Sequence, residues 1–275
     1  MTTRIDSPSN PRIAAAVKAI ASGETMLLEG RRMIEEALDA GVLVEGVFVQ
    51  NDAFEEHEDF LGRVRGEGTT GVARVTTVSA RVLRRLSDLP STRGVVAIAA
   101  PPHRTLTSLS ALLPSKKSFS SPSPLFLLLD DVQDPANVGA ILRSGEAFGV
   151  AAALLTPGCA WPFSPRALRA SAGSAFRVPV AARVAAGDAV AWARRHGIAL
   201  AGAAAHGGTA PDALAGVRPL ALVIGSEGHG ISAEIAGSLD HRVTLPLGGR
   251  VDSLNAAVAA GVLLHILTRA VAPAL

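Results

Sequence analysis

The chain has 275 residues, 48% of them hydrophobic and 18% charged. That excludes wholesale disorder and supplies core for one large domain or two modest ones. A formal net charge of +2 excludes a uniformly basic nucleic-acid binder, so any such partner must meet local patches. Cys159 is the only cysteine, which excludes an internal disulfide and a cysteine zinc cluster and points to a reduced, cytoplasmic setting.

SNPRIAAAVKAIASG (9–23) predicts a helix opened by a capping serine and a proline, with Ile13, Val17 and Ile20 at helical spacing. The N-terminus carries no basic stretch followed by a long apolar one, so no secretory signal is expected. TMLLEG reads as a short strand. RRMIEEALDAG reads as an amphipathic helix with Met33, Ile34, Ala37 and Leu38 inward and Gly41 after its end. VEGVFVQ and ARVTTVS read as strands, RVLRRLSDL as a helix and GVVAIAA as a further strand. These elements define an N-terminal α/β domain over 1–105. LLPSKKSFSSPSPLF (112–126), rich in serine and proline, disfavours regular structure, and 106–124 is read as a linker.

A second domain, 125–275, opens with PLFLLLDDV, a buried strand ending in two aspartates. QDPANVGAILRSGEAFGV gives a loop and a helix closing near Gly149. VAAALLT is a strand, PRALRASAG a short helix, FRVPV a strand, DAVAWARRHG a helix and GIALAGAAA a strand. LALVIG, RVTLPL and a terminal helix from Ser253 complete the set. Strands alternating with helices predict a parallel sheet covered on both faces. The apolar stretch Leu254–Leu267 falls short of the ~20 residues a membrane span needs, so no membrane partner is expected.

Ligands collect at the carboxyl ends of parallel strands. Three glycine- and polar-rich loops follow strands there: DDVQDPANVGAILRS, IGSEGHGIS and LPLGGRVDSLNAAV. No G-x-G-x-x-G, phosphate-loop, H-E-x-x-H or G-x-S-x-G pattern occurs, and no metal is expected. Arg143 follows Asn137 by six positions on the first helix of this domain, with Glu146 available at i+3. Asn137 is a candidate helix cap, Ser253 a cap for the last helix, and Glu227 either a functional carboxylate or a solvated turn acid.

The three loops resemble, in order, the three motifs of the SpoU/TrmH family of the SPOUT superfamily: NVGAILRSGEAFG, LALVIGSEGHGIS and VTLPLGGRVDSLNAAVAAGVLLH. RASAGSAFRVPV resembles the segment between the first two, and SPSNPRI with LLEGRRMIEEAL resembles the substrate-binding domain often found ahead of the catalytic one. Leu247 stands where such proteins often carry methionine. The resemblance implies a trefoil-knotted parallel-sheet domain that binds S-adenosyl-L-methionine and methylates a ribose 2′-hydroxyl of RNA. Ribosomal RNA is preferred over tRNA; a non-catalytic RNA-binding member is the alternative. A homodimer is implied.

By the same resemblance Ile224, Gly225, Leu245, Gly249, Ser253 and Leu254 hold the cofactor. Arg143, Asn137, Glu227, Ser253 and Asn255 form the catalytic set. Arg143 acts either as general base or as anchor for phosphate and developing alkoxide. Asn137 orients Arg143 or the ribose, and Glu227 holds Asn137 or Arg143.

Overall fold

In a computed structural model, residues 3–65, 74–87, 89, 93–112 and 124–269 are described. The chain divides into two compact units, Met1–Pro102 with Phe163–Arg169, and His103–Pro162 with Ala170–Leu275. The first holds β1 (Thr3–Ile5), α1 (Pro11–Ser22), β2 (Met26–Glu29), α2 (Arg31–Asp39), β3 (Val44–Gln50), α3 (Glu58–Arg65), β4 (Arg74–Val78), α4 (Ala80–Leu86) and β5 (Val95–Ala99). Its mixed sheet runs β1-β4-β3-β5-β2, with β5 antiparallel to β2 and β3. Ile13, Phe48, Val78, Val82 and Val96 pack in its core. The helix predicted from residue 9 is capped by Asn10 rather than Ser9. The Asn10 side chain accepts the Arg12 N–H at 2.9 Å, and Pro11 then occupies the first helical position, where a missing N–H matters least.

The second unit holds α5 (Leu106–Leu112), β6 (Leu125–Asp130), α6 (Pro135–Ala147), β7 (Val150–Leu155), α7 (Pro165–Ser171), α8 (Ser174–Arg177), β8 (Val180–Ala181), α9 (Ala186–His196), β9 (Ala199–Ala203), β10 (Leu220–Gly225), α10 (Ala233–Ala236), β11 (His241–Val243) and α11 (Ala256–Arg269). Of α7, however, Pro165–Arg169 belong to the first unit and only Ala170 and Ser171 to the second. All pairings in the sheet β11-β9-β10-β6-β7-β8 are parallel, so its carboxyl ends share one edge. Burial on both faces explains the unbroken apolar runs of β6 and β10. Phe126 and Leu128 pack with Leu109 of α5 and Trp192 of α9. Leu127 points the other way: a Cβ on Gly145 would stand 2.9 Å from its Cδ1, so glycine lets α6 settle on the sheet.

Three expectations are corrected. Leu106–Leu112, placed in the linker, are helical; Thr105 and Ser108 cap each other's backbone N–H groups at 3.2 and 2.9 Å, and Leu109 is buried. The rest of that linker, 113–123, lies outside the described residues. FRVPV is not a strand throughout, since Phe176 and Arg177 end α8 and only Val180–Ala181 pair with β7. The last helix starts at Ala256, and Ser253 does not cap it. Asn255 does, its Oδ1 accepting the N–H groups of Ala257 and Val258 at 3.0 and 3.3 Å. Among the described residues no helix is long and apolar enough to cross a membrane.

Candidate active site

β10 ends near the middle of the sheet at Gly225, opposite Asp130 at the end of β6. The chain then reverses tightly, Ser226 and Gly230 exchanging two backbone hydrogen bonds of 2.9 Å. The reversal brings Gly230 against Gly225: a Cβ at 225 would lie 2.3 Å from the Gly230 carbonyl carbon and 2.5 Å from its oxygen. Only glycine fits. Gly230 itself has φ +69°. Asp130, buried, accepts the Ser232 N–H at 2.7 Å and pins the far end of the loop.

Beside this loop is a cavity of about 460 Å³. Ala203–Ala205 after β9 form one wall and Ile224–Glu227 with Gly230 another. Val243, Leu245, Leu247, Ser253, Leu254, Asn255 and the first turns of α11 close it. The size suits a small-molecule ligand, and apolar walls with few polar groups are what such sites present. Of the sequence-predicted cofactor residues, Ile224, Gly225, Leu245, Ser253 and Leu254 line it. Gly249 does not; it is exposed, with nothing within 4 Å of where a Cβ would stand. The alanine wall was missed. Its signal was the run of small residues at the end of GIALAGAAA, the carboxyl end of a parallel strand.

A polar chain runs along the rim. Asn255 commits its Oδ1 to the start of α11, so its Nδ2 faces outward and donates to Asn137 Oδ1 at 3.0 Å. Asn137 Nδ2 then donates to Glu227 Oε1. The helix cap thus sets the orientation of both amides and leaves Glu227 as pure acceptor. Asn137 is not a helix cap; Asp134 takes that place, its carboxylate accepting the Ala136 N–H at 2.9 Å. Glu227 holds Asn137, one of the two partners expected for it.

Arg143 stands apart. It is exposed on α6 and is not among the residues that line the cavity. Six helical residues are ~600° of turn, which sends the two side chains off different faces of α6. The alternative pairing with Glu146 does not form. Arg177 takes that carboxylate through Nε and Nη2, which holds Glu146 below the ordinary carboxylate range. The Arg143 side chain therefore has no hydrogen-bond or ion-pair partner among the described residues.

This architecture, a six-stranded parallel sheet with a ligand cavity closed by loops after its later strands, is that of a methyltransferase domain of the SpoU type. Residues 124–265 match the SpoU rRNA Methylase family, and residues 21–97 match the MRM3-like substrate binding domain. The chain belongs to the SpoU rRNA methylase family. An uncharacterized tRNA/rRNA methyltransferase of Mycobacterium leprae is 35% identical over 264 residues, 96% of this chain and 81% of that protein. Among solved structures, an RNA 2′-O ribose methyltransferase aligns at TM-score 0.73 and 30% identity over 97% of this chain and 98% of its own. The AdoMet-bound rRNA methyltransferase of Sinorhizobium meliloti shares the fold at TM-score 0.81 and 24% identity, covering 98% of each chain.

Proposed function

We propose that this protein is an S-adenosylmethionine-dependent methyltransferase acting on a ribose 2′-hydroxyl of structured RNA, ribosomal RNA ahead of tRNA, as a homodimer with a trefoil-knotted catalytic domain. The observation that carries this is the cavity between the second and third glycine-rich loops with the Glu227–Asn137–Asn255 chain on its rim. The residues fit the cofactor. The absent side chain at Gly225 keeps the Ser226–Gly230 reversal tight beside the cavity, and Ala203–Ala205 keep a wall low. Gly225, Leu245 and Leu254 would hold it, largely through main-chain groups, with Ser253 beside them. When bound, the cofactor supplies an electrophilic methyl group on a sulfonium.

The chain's own residues must place the hydroxyl and handle its proton. Asn137 is fixed by its two neighbours and presents a pre-oriented amide. Arginine is an awkward base: deprotonation at neutral pH costs on the order of 7 kcal/mol at ~1.36 per unit. Free of carboxylates and off the cavity wall, Arg143 serves better to hold a backbone phosphate of the RNA and offset charge developing nearby. Support for ribose as target comes from the 30% identical neighbour. Support for a dimer comes from Val258 and Val262, one turn apart on α11 and 51% and 40% exposed, while Ala260, Leu263, Leu264 and Leu267 of the same helix are buried.

The test is transfer of a radiolabelled methyl group to separate rRNA and tRNA pools, with nucleoside digestion of the product. A 2′-O-methylnucleoside is expected, and a methylated base would overturn the reading. Arg143→Ala should lower transfer by about 10²-fold, yet leave calorimetric cofactor affinity within about twofold, because Arg143 does not line the cavity.

A further inference from the structure

The carboxyl edge of the parallel sheet carries a second cluster, at β7 and β8, away from the cavity at β9–β11. Arg183 lies over the indole of Trp161, its Cζ 4.9 Å from the ring centroid. The His103 ring stands edge-on to the same indole at 6.0 Å and 61°. We propose that the Trp161–Arg183 stack is a nucleobase-stacking subsite that holds an unpaired base of the RNA near the nucleotide being methylated; this rests on the reading of the protein as an RNA methyltransferase.

Each segment that builds the cluster is tied down by backbone. Ala160 N–H donates to the Val132 carbonyl and Cys159 N–H to that of Thr156, at 2.9 and 3.1 Å. The buried Thr156 accepts the Asp131 N–H at 3.0 Å. Gly158 is required, because a Cβ there would meet Asp131 Oδ1 at 2.0 Å. Val184 N–H donates to Leu155 at 2.9 Å and Arg104 N–H to Val180 at 2.6 Å, which places Arg183 and His103 against the same strands. Arg183 is held at φ +60°, a conformation non-glycine residues rarely keep unless the surroundings enforce it.

The chemistry matches a base and not simply a phosphate. Trp161 is partly exposed and Arg183 exposed, and among the described residues Arg183 has no carboxylate partner. A planar cation lying on an indole leaves its second face to solvent, and bases stack on such guanidinium planes in single-stranded RNA recognition. The strand order β10-β6-β7-β8 puts the stack about 10–15 Å along the edge from the end of β10 at ~4.8 Å per strand, within reach of a few nucleotides.

The first experiment is ultraviolet crosslinking of the full chain to total rRNA, with adducts mapped by mass spectrometry. Nucleotide adducts at Trp161 or the residues flanking Arg183 are expected; adducts confined to other segments would overturn the proposal. The second is kinetic. Trp161→Ala and Arg183→Gly should each raise KM for RNA about tenfold, with cofactor affinity unchanged; Arg183→Gly, which relieves the positive φ, should melt no lower than the parent chain. Trp161→Phe should restore most of the loss, and Arg195→Ala, an exposed charge on α9, should have no effect. Arg183→Lys separates stacking from charge, since it should behave like Arg183→Gly; wild-type KM in Arg183→Lys or Trp161→Ala would overturn the stack. Crosslinking at Trp161 in a protein that transfers no methyl group would keep the subsite and remove the proposed activity.

Discussion

At the scale of single residues, the site depends on two positions where the obvious replacement is excluded for different reasons. Gly225 is excluded sterically. Alanine there would drive a Cβ into the backbone of Gly230, so the Ser226–Gly230 reversal must open. Gly225→Ala should lose about 1–3 kcal/mol of stability and more than about tenfold in cofactor affinity, seen in thermal melts and calorimetric titration. Gly228→Ala, with open space around it and no positive φ, should change neither. Asn137 is excluded electronically. It donates to Glu227 and accepts from Asn255, so aspartate would set two carboxylates against each other. Transfer by Asn137→Asp should fall below that of Asn137→Ala at pH 8. The two should converge toward about pH 5 as the carboxylate pair takes up a proton, a crossover that rate–pH profiles of both variants would show.

At the scale of elements, the sequence made legible what a continuous apolar run or a helical period can report. LFLLLD and LALVIG became β6 and β10, and Ile34 with Ala37 became the buried stripe of α2. Short apolar runs carry no such period, and Phe176 and Arg177 were absorbed into α8 behind Gly173, which takes φ +87°. Of RVTLPL only Arg242 and Val243 are strand, in β11 behind His241, the chain breaking before Pro246 and Gly248. In the site, glycine loops announced Gly225, whereas Gly249, alike in type, faces solvent; only the approach of another backbone distinguishes them. Arg143 stands out by its motif and the helical period separates it from Asn137, but which face of α6 turns to the cavity is set by how that helix packs. One element junction was invisible in sequence. Asp240, just before β11, accepts the Leu200 N–H at 2.8 Å and two bonds from Arg194 at 2.7 and 2.8 Å. Burial, the largest single effect, pushes its pKa up, but the Leu200 N–H and Arg194 together hold it below the ordinary 3.8. A depressed folded value means that this contribution is present above about pH 4 and is lost as pH falls through the folded value. Asp240→Asn should therefore destabilise by on the order of 1 kcal/mol at pH 7, in urea melts, with the gap to wild type shrinking in acid.

At the scale of the whole molecule, the question is where the catalytic unit begins. A cut at Leu125 follows the Ser/Pro-rich composition, but the packing places the start at His103. Leu109 is 1% exposed and sits in the cluster of Phe126, Leu154, Trp192 and Val223, with Leu106 packed against it. The tie is polar as well as apolar. Trp192 Nε1–H donates to Ser110 Oγ at 2.9 Å, and His196 Nε2 lies 3.0 Å from the same oxygen. Removing α5 would uncover one face of Phe126 and Trp192 and leave the indole N–H without this acceptor. Reburying a leucine contributes about 1.5–3 kcal/mol, and a stranded donor costs about 1 kcal/mol or more. A fragment spanning 103–275 should therefore exceed one spanning 125–275 in urea-unfolding stability by roughly 3 kcal/mol. The shorter fragment should also show solvent-quenchable Trp192 fluorescence, which Trp161→Phe in both fragments isolates. Equal midpoints and equal quenching would mean that α5 rests on the sheet without stabilising it, and that composition alone had marked the boundary correctly.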